Sequence, residues 1–236
     1  MRIINWNCSG AFRNKYESLS AFKADILIIQ ECEDPSFSKD IKYRTWANNF
    51  LWIGDNKNKG LGIFANNSLK LNALEWSNTY MDHKVKHFLP CIVDNNFQIL
   101  AVWSHQNKSP NFGYIGQVWK YLQINRANFE KIIIAGDFNS NAIWDEWDRW
   151  WNHSDVVKEL EQLNIVSAYH TFTNEQQGKE TIATFHHQKN KTKPYHIDYV
   201  FASKSLLKNK KQFLIETSDH WINLSDHRPL IFDIIL

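Results

Sequence analysis

The chain has little of what would place it in several familiar classes. It holds three cysteines among 236 residues, Cys8, Cys32 and Cys91, an odd number without CxxC spacing. That pattern indicates neither a disulfide framework nor a zinc site. Small buried hydrophobes in a reducing compartment are the simplest expectation for them. The opening "MRIINWNCSG" lacks the apolar stretch of a signal peptide, and no apolar run is long enough to span a bilayer. Charge of one sign is missing too: 27 Lys and Arg stand against 25 Asp and Glu, a net +2, so any attraction to a polyanion has to be local. No low-complexity linker and no clear repeat divides the chain. The expectation is a cytoplasmic protein, one domain over 1–236, with no membrane segment and no obligate protein partner evident.

What is present is mostly strand. "RIINWN", "DILIIQE", "FLWIG", "GLGIFAN", "FLPCIVD" and "FQILAVWSH" fill the first half, and "KIIIAGDFN", "IVSAYHTF", "ATFHH", "HIDYVFAS", "QFLIE" and "PLIFDIIL" the second. Helical spacing is confined to three places. These are Phe12, Tyr16, Leu19 and Phe22; then Ile115, Val118, Trp119 and Leu122; then Val156, Val157, Leu160 and Leu163, with Ser154 as N-cap. Lysine-rich runs at 56–59, 188–193 and 208–211 read as loop tips. Many strands with few helices predict an α+β fold of packed sheets with helices outside.

The informative residues stand at strand ends. An apolar strand such as Ile132–Ala135 has no structural use for Asp137 and Asn139 at its tip. Period-2 geometry points those two the same way and Phe138 the other way, as a site that orients a water would need. Other tips carry Asn5 and Asn7, Gln30 and Glu31, His105, His196 and Asp198, and Asp226 and His227. Each alone is most simply a solvated or turn residue. Six such tips in one chain are harder to attribute to loop composition.

The stretches "NWNCSG", "IIQECE", "AGDFNS", "HIDYVFAS" and "LSDHRPLIFDI" resemble, in order and over nearly the whole chain, the endonuclease/exonuclease/phosphatase superfamily. The resemblance implies a four-layer α/β sandwich, two mainly antiparallel sheets face to face with helices outside, and a site where the strand tips meet. It also implies roles. Glu31 would be the main metal ligand, helped by Asn7 and Asp226. Asp137 would activate the attacking water, with Asn139 positioning it or the scissile phosphate. His227, paired with Asp198, would stabilise the charged phosphorane. His105 fits the histidine of deoxyribonuclease-like and phosphatase-like members, where exonuclease III-like enzymes use a tyrosine. His196 departs from the arginine of many members, so it is either a phosphate contact or a plain loop residue. Gln30 either braces the metal shell from outside or caps its strand.

Chemistry supports that division of labour. Glu31, Asp137, Asp198 and Asp226 at one edge would repel one another without a cation. An oxygen-only set suits Mg²⁺ or Mn²⁺. A carboxylate beside His227 raises its pKa and keeps it charged near neutral pH. The expected function is therefore divalent-metal phosphodiester hydrolysis, with DNA as the leading substrate and RNA as its variant. A small-molecule or lipid-headgroup phosphodiesterase or phosphatase, and a non-catalytic binding domain, are the alternatives.

Two features bear on substrate. Lys191 and Lys193, with Lys189, lie on a hairpin next to Asp198 and either contact phosphates or are simply solvated. Trp144, Trp147, Trp150 and Trp151 fall within about 120° of one face if the segment is helical. Such a stripe docks onto a core, which predicts burial of Trp144, Trp147 and Trp151 and a large loss of stability in Trp147→Ala. Trp150, at its margin, is the candidate to stack on a nucleobase.

Overall fold

The computed structural model describes residues 1–109, 111–208 and 212–235. The predicted loop at 208–211 therefore lies, beyond Lys208, outside the described residues. Sixteen strands and six α-helices are present among the described residues. The strands are β1 (Arg2–Asn7), β2 (Ile26–Cys32), β3 (Phe50–Asn56), β4 (Lys59–Ala65), β5 (Leu71–Ala73), β6 (Thr79–Tyr80), β7 (His83–Lys84), β8 (Phe88–Val93), β9 (Phe97–Trp103), β10 (Ile132–Asp137), β11 (Ile165–Ser167), β12 (Phe185–His186), β13 (Pro194–Tyr195), β14 (Asp198–Ser203), β15 (Gln212–Ile215) and β16 (Leu230–Asp233). The helices are α1 (Ile41–Trp46), α2 (Ile115–Asn125), α3 (His153–Gln162), α4 (Ala168–Thr173), α5 (Lys204–Leu207) and α6 (Asp219–Leu224).

Two six-stranded sheets carry the fold, in the orders β15-β16-β1-β2-β4-β3 and β11-β14-β10-β9-β8-β5. Both are mixed rather than wholly antiparallel. Each has one parallel pair at its centre, β1 with β2 and β9 with β10, flanked on both sides by antiparallel neighbours. Strand alternation sorts the side chains into layers. Ile3, Ile26, Ile28, Ile133, Ala135, Val200 and Ala202 meet in the core between the sheets. Their sequence neighbours Ile4, Leu27 and Ile29 face outward under Trp6, Tyr43 and Trp221, while Ile132, Ile134, Tyr199 and Phe201 pack under α2 and α3. The outcome is the predicted sandwich with helices outside.

This parity places the site. Asn7 continues the inner-facing set of β1, Gln30 that of β2, Asp137 that of β10, and Asp198 begins that of β14. Apolar packing between the sheets ends at these tips and polar groups take its place. Gly136 lets β10 reach that edge, because a Cβ there would collide with the Val102 carbonyl of β9.

Local structure differs from expectation in several places. The 12–22 segment forms two 3₁₀ turns, Phe12–Asn14 and Tyr16–Phe22, rather than an α-helix, though Phe12, Tyr16 and Leu19 are buried as predicted. "IVSAYHTF" is strand only to Ser167, whose side chain then opens α4. Helix α3 is capped by Asn152, not Ser154, in a reciprocal capping box with Asp155.

The tryptophan stripe does not exist, because no α-helix forms over 144–151. The physical reason is side-chain competition for the backbone. Asn152 accepts from Glu146 N and donates to the Glu146 and Arg149 carbonyls, while Asp145 accepts from the amides of His153 and Ser154. These bonds coil the segment into turns and start the helix only at His153. Trp147 is 95% exposed, so its truncation removes no core contact and the predicted loss of stability is overturned. Trp144 is also largely exposed, over Tyr195, whereas Trp151 is buried against Phe112 as predicted.

Candidate active site

At the shared edge of the two sheets, Asn7 on β1 bridges two carboxylates. Its Nδ2 donates to Asp137 Oδ2 at 2.9 Å and to Glu31 Oε1 at 3.2 Å, and its Oδ1 accepts from Ser9 N. Glu31 reaches this edge through a backbone irregularity. Outward parity (Leu27, Ile29, Glu31) would send it away from the cleft. Instead β2 bulges between Gln30 and Cys32, and Glu31 is the inserted residue, with φ 62°. Bulges of this kind re-aim side chains beside active sites.

Asp137 is fully enclosed. Its Oδ1 accepts from Asn139 N at 2.9 Å and its Oδ2 from Asn139 Nδ2 at 3.1 Å. Asn139 does not simply alternate onward from Asp137. Its φ of 47° folds it back, and its amide also donates to the Ser104 carbonyl. Asp198 lies opposite Asp137 in the β10/β14 register and is equally buried. His227 stands between them, with Nδ1 2.9 Å from Asp198 Oδ2 and Nε2 3.9 Å from Asp137 Oδ2. Burial on its own would lower the His227 pKa, but the Asp198 and Asp137 carboxylates outweigh it and raise it well above the ordinary imidazole value. Burial pushes Asp137 up as well, with Asp198 adding to the rise and the His227 charge pulling against it. The imidazole is thus hydrogen-bonded to Asp198 and faces the buried Asp137 carboxyl group without a hydrogen bond to it.

Three residues that motif reading missed hold this arrangement. Thr184 Oγ1 accepts from the amides of Ile197 and Asp198, and its carbonyl accepts from Arg228 N, joining both halves of the Asp198–His227 pair. Ser225 Oγ donates to the Asn7 carbonyl and accepts from His227 N. Lys59 Nζ lies 2.7 Å from Glu31 Oε2 and 5.7 Å over the Trp103 ring. Lys59 falls in a run that reads as a loop tip, yet it is the first residue of β4, beside the Gly60 that pairs with Cys32 across the bulge.

Among the described residues, one group of three His, Cys, Asp or Glu side chains brings its ligand atoms within 4.8 Å of one another: Asp137, Asp198 and His227. This buried acid and histidine group could hold a metal. Glu31 and Asp226 are not part of it. Glu31 offers a second locus, since it shares the Asn7 amide with Asp137 and already has an ammonium group at its free oxygen. A position that holds one cation against oxygen donors fits a divalent ion of the hard, oxygen-seeking kind. Asp226 is half-buried beside His227, and its carbonyl accepts from His186 N.

The remaining predicted residues divide. His105 follows β9, with its ring edge-on to Trp103 at 4.0 Å and near His87, and burial lowers its pKa. Trp150 is 64% exposed, beside a cavity of about 830 Å³ that Asn139 and Ser140 also line. His196 is a correction. It is 4% exposed, packed on Tyr169 and Tyr199 with Nδ1 against the Ile182 carbonyl, and burial lowers its pKa. It is a core histidine with no surface for a phosphate. Lys191 is exposed on its hairpin, with its ammonium paired at 2.6 Å with Asp219 of α6. Lys193 is exposed on the same hairpin. Gln30 donates to Asn5 at 2.8 Å within the buried layer below the site.

The sequence profile of the Endonuclease/Exonuclease/phosphatase family matches residues 4–227. Solved structures of similar fold include an AP endonuclease from Archaeoglobus fulgidus, at 15% identity and TM-score 0.73, with all of both chains covered. A 3′ phosphatase, NExo, from Neisseria, bound to a product DNA hairpin, aligns at 15% identity and TM-score 0.74, again over all of both chains. D. rerio TDP2, complexed with a single-strand DNA product, aligns at 16% identity and TM-score 0.66, covering 100% of this chain and 99% of its own. No curated protein sequence matches the chain.

Proposed function

Since the chain belongs to the Endonuclease/Exonuclease/phosphatase family, we propose that it is a Mg²⁺- or Mn²⁺-dependent phosphodiester hydrolase, a nuclease acting on DNA. One observation carries this reading: His227 is held between Asp198 and Asp137, and Asn7 ties Asp137 to Glu31, so acid, base and cation locus share one sheet edge.

Asp137 is the group that receives the proton of the attacking water. Burial has already raised its proton affinity, and Asn139 holds both of its oxygens in place. Asn139 is half-buried at the cleft wall, where its amide positions the water or the phosphate. His227 donates from Nε2 to a phosphate oxygen as negative charge builds on it. Asp198, bonded at Nδ1, keeps the imidazole charged and correctly turned. Glu31, with Asn7 and with Asp226 from the neighbouring loop, would hold the metal, and Lys59 must yield its place on Glu31 when it binds. The bound metal supplies charge neutralisation at the phosphate and at the leaving oxygen. His105 lies on the same edge, where its ring would serve as a further polar contact.

DNA as substrate is supported by the product complexes of the Neisseria and D. rerio proteins. Exposed Trp150, Lys191 and Lys193 are the substrate-contact candidates that remain. The reading takes 1–236 as one catalytic domain in a reducing, cytoplasmic setting, which suits three buried, unpaired cysteines. No helix among the described residues is long and apolar enough to cross a membrane. The test is purified protein with Mg²⁺ or Mn²⁺ against plasmid, single-stranded DNA, RNA and an inositol phosphate panel. Metal-dependent DNA cleavage abolished by chelator is expected. Hydrolysis of the inositol compounds alone would overturn the substrate assignment.

A further inference from the structure

Helix α2, the β6–β7 hairpin and the loop after His105 enclose a second cavity of about 540 Å³. Its walls are aromatic, formed by Tyr80, Phe112, Trp119 and Trp150, and its charged groups are all basic: Lys84, Lys108 and Lys120, with His83 beside them. Among the described residues, no carboxylate lines it. The neighbouring cavity that reaches Asn139 contrasts sharply, since Asp145, Glu146 and Asp148 line that one. The two share Asn111, Phe112 and Trp150, so the basic cavity adjoins the one that reaches Asn139.

Lys120 is the unusual member. It is 7% exposed, its Nζ lies 4.7 Å over the Phe112 ring and 6.0 Å from that of Tyr80, and its one hydrogen bond is a 3.5 Å contact with Ser109 Oγ. Among the described residues it has no ion pair. Burial lowers its pKa and no neighbouring carboxylate opposes that. A buried lysine without a counter-charge is unfavourable and is seldom kept by packing alone. The loop is nevertheless built around it. Asn107 donates to Gln117 on α2 at 2.9 Å, and Gln117 donates to the Phe112 carbonyl, which braces the cavity's floor to its aromatic wall.

We propose that this cavity is a subsite for a second phosphate of the substrate strand, with Lys120 as the buried anchor and Trp150 and Tyr80 flanking the attached base. The proposal rests on the nuclease reading and names where the strand runs beyond the scissile bond. Lys84 and Lys108 at the rim are exposed and draw the strand in, and the arriving phosphate supplies the counter-charge that Lys120 lacks. A free mononucleotide presents the same chemistry, and the test separates the two.

Lys120→Met keeps the buried stem and removes the charge. A phosphorothioate single-stranded 12-mer and dAMP are titrated in chelator, so that binding is read without hydrolysis. For the wild type, Lys120→Met should weaken 12-mer binding about tenfold and flatten the log Kd against log salt slope by about 0.7, the value of one lost phosphate contact on a single strand. With metal present, the kcat/KM ratio of an unmodified phosphodiester 12-mer to a small aryl phosphodiester should fall to a similar extent. Equal 12-mer affinity and equal salt slope in the two proteins overturn the proposal. So does dAMP binding as tight as the 12-mer and equally dependent on Lys120, which would make the cavity a free-nucleotide site. If Lys120→Met melts early, the exposed pair Lys84→Ser with Lys108→Ser takes its place, and an unchanged salt slope there counts against the subsite. Lys120-dependent strand binding by a protein that hydrolyses nothing would leave the subsite standing and remove the nuclease reading.

Discussion

The Lys59 ammonium lies 2.7 Å from the Glu31 carboxylate, where it does the electrostatic work of a cation. On the proposed reading, a divalent ion arriving at Glu31 would have to displace it, so the lysine and the metal would compete. Both side chains are partly exposed, which limits such a pair to about 1 kcal/mol. Lys59→Met should therefore lower the half-saturating Mg²⁺ concentration by about fivefold or less. A Mg²⁺ titration of DNA hydrolysis checks this, and the Mg²⁺-induced rise in Tm checks it without activity. A higher Mg²⁺ requirement in the variant would assign Lys59 to the phosphate instead.

Glu31 pays for its position in backbone strain, with φ at 62° in the bulge of β2. A side chain in this region costs about 1 kcal/mol or more relative to glycine. Glu31→Gly and Glu31→Ala both remove the carboxylate and should both be inactive. The glycine variant should nevertheless be the more stable of the two by about that amount, the reverse of their order in an ordinary strand. Urea unfolding of the pair decides it. Alanine equal to or above glycine would mean that the bulge relaxes once the carboxylate is gone.

Much of this site was legible because alternation is cheap to read. The parity that buries Ile3, Ile133 and Val200 between the sheets carries Asn7, Asp137 and Asp198 to the same edge. "GDFNS" and "SDHRP" mark tips that the chain must bring together for any purpose to be served. Lys59 escaped because its partner reaches the site through a bulge, which breaks parity and has no signal in a strand of isoleucines. Trp147 misled for the opposite reason. Its spacing fits a helix, but Asn152 and Asp145 take the backbone groups a helix would use. Side-chain capture of that kind depends on where distant atoms fall. His196 belongs here too: proximity to Asp198 in sequence said nothing of Tyr169 and Tyr199 closing over it.

Burial of neutral histidine should make the fold acid-sensitive. His153 is enclosed between Ser140 and Gln177, and burial lowers its pKa to about 4 from an ordinary 6.5. Between those values the unfolded chain binds a proton that the folded one refuses, so its contribution to stability is present above 6.5 and lost as pH falls toward 4. The slope is about 1.4 kcal/mol per pH unit for one such group. Asp137, raised by burial, acts in the opposite direction, so the useful quantity is a difference between proteins. His153→Gln should melt with a pH dependence that is shallower by one proton between pH 6.5 and 4. Parallel Tm profiles for variant and wild type would show that His153 is protonated in the folded state.

Asp198 and His227 should behave as one catalytic unit. The 2.9 Å bond at Nδ1 leaves Asp198 no other route to the phosphate, since it is buried and its amide is held by Thr184. Asp198→Ala leaves the imidazole without the charge that sustains its protonated form, and His227→Ala removes the donor outright. Each should lower kcat by about 10²- to 10⁴-fold, the usual range for losing an acid or a charge-stabilising donor. Groups that act together are not additive, so the double variant should be scarcely worse than His227→Ala. KM for an oligonucleotide should change far less than kcat in all three, because neither side chain grips the strand. Full multiplication of the two single losses in the double variant would separate the residues, and Asp198 would then need a role of its own at the metal or the water.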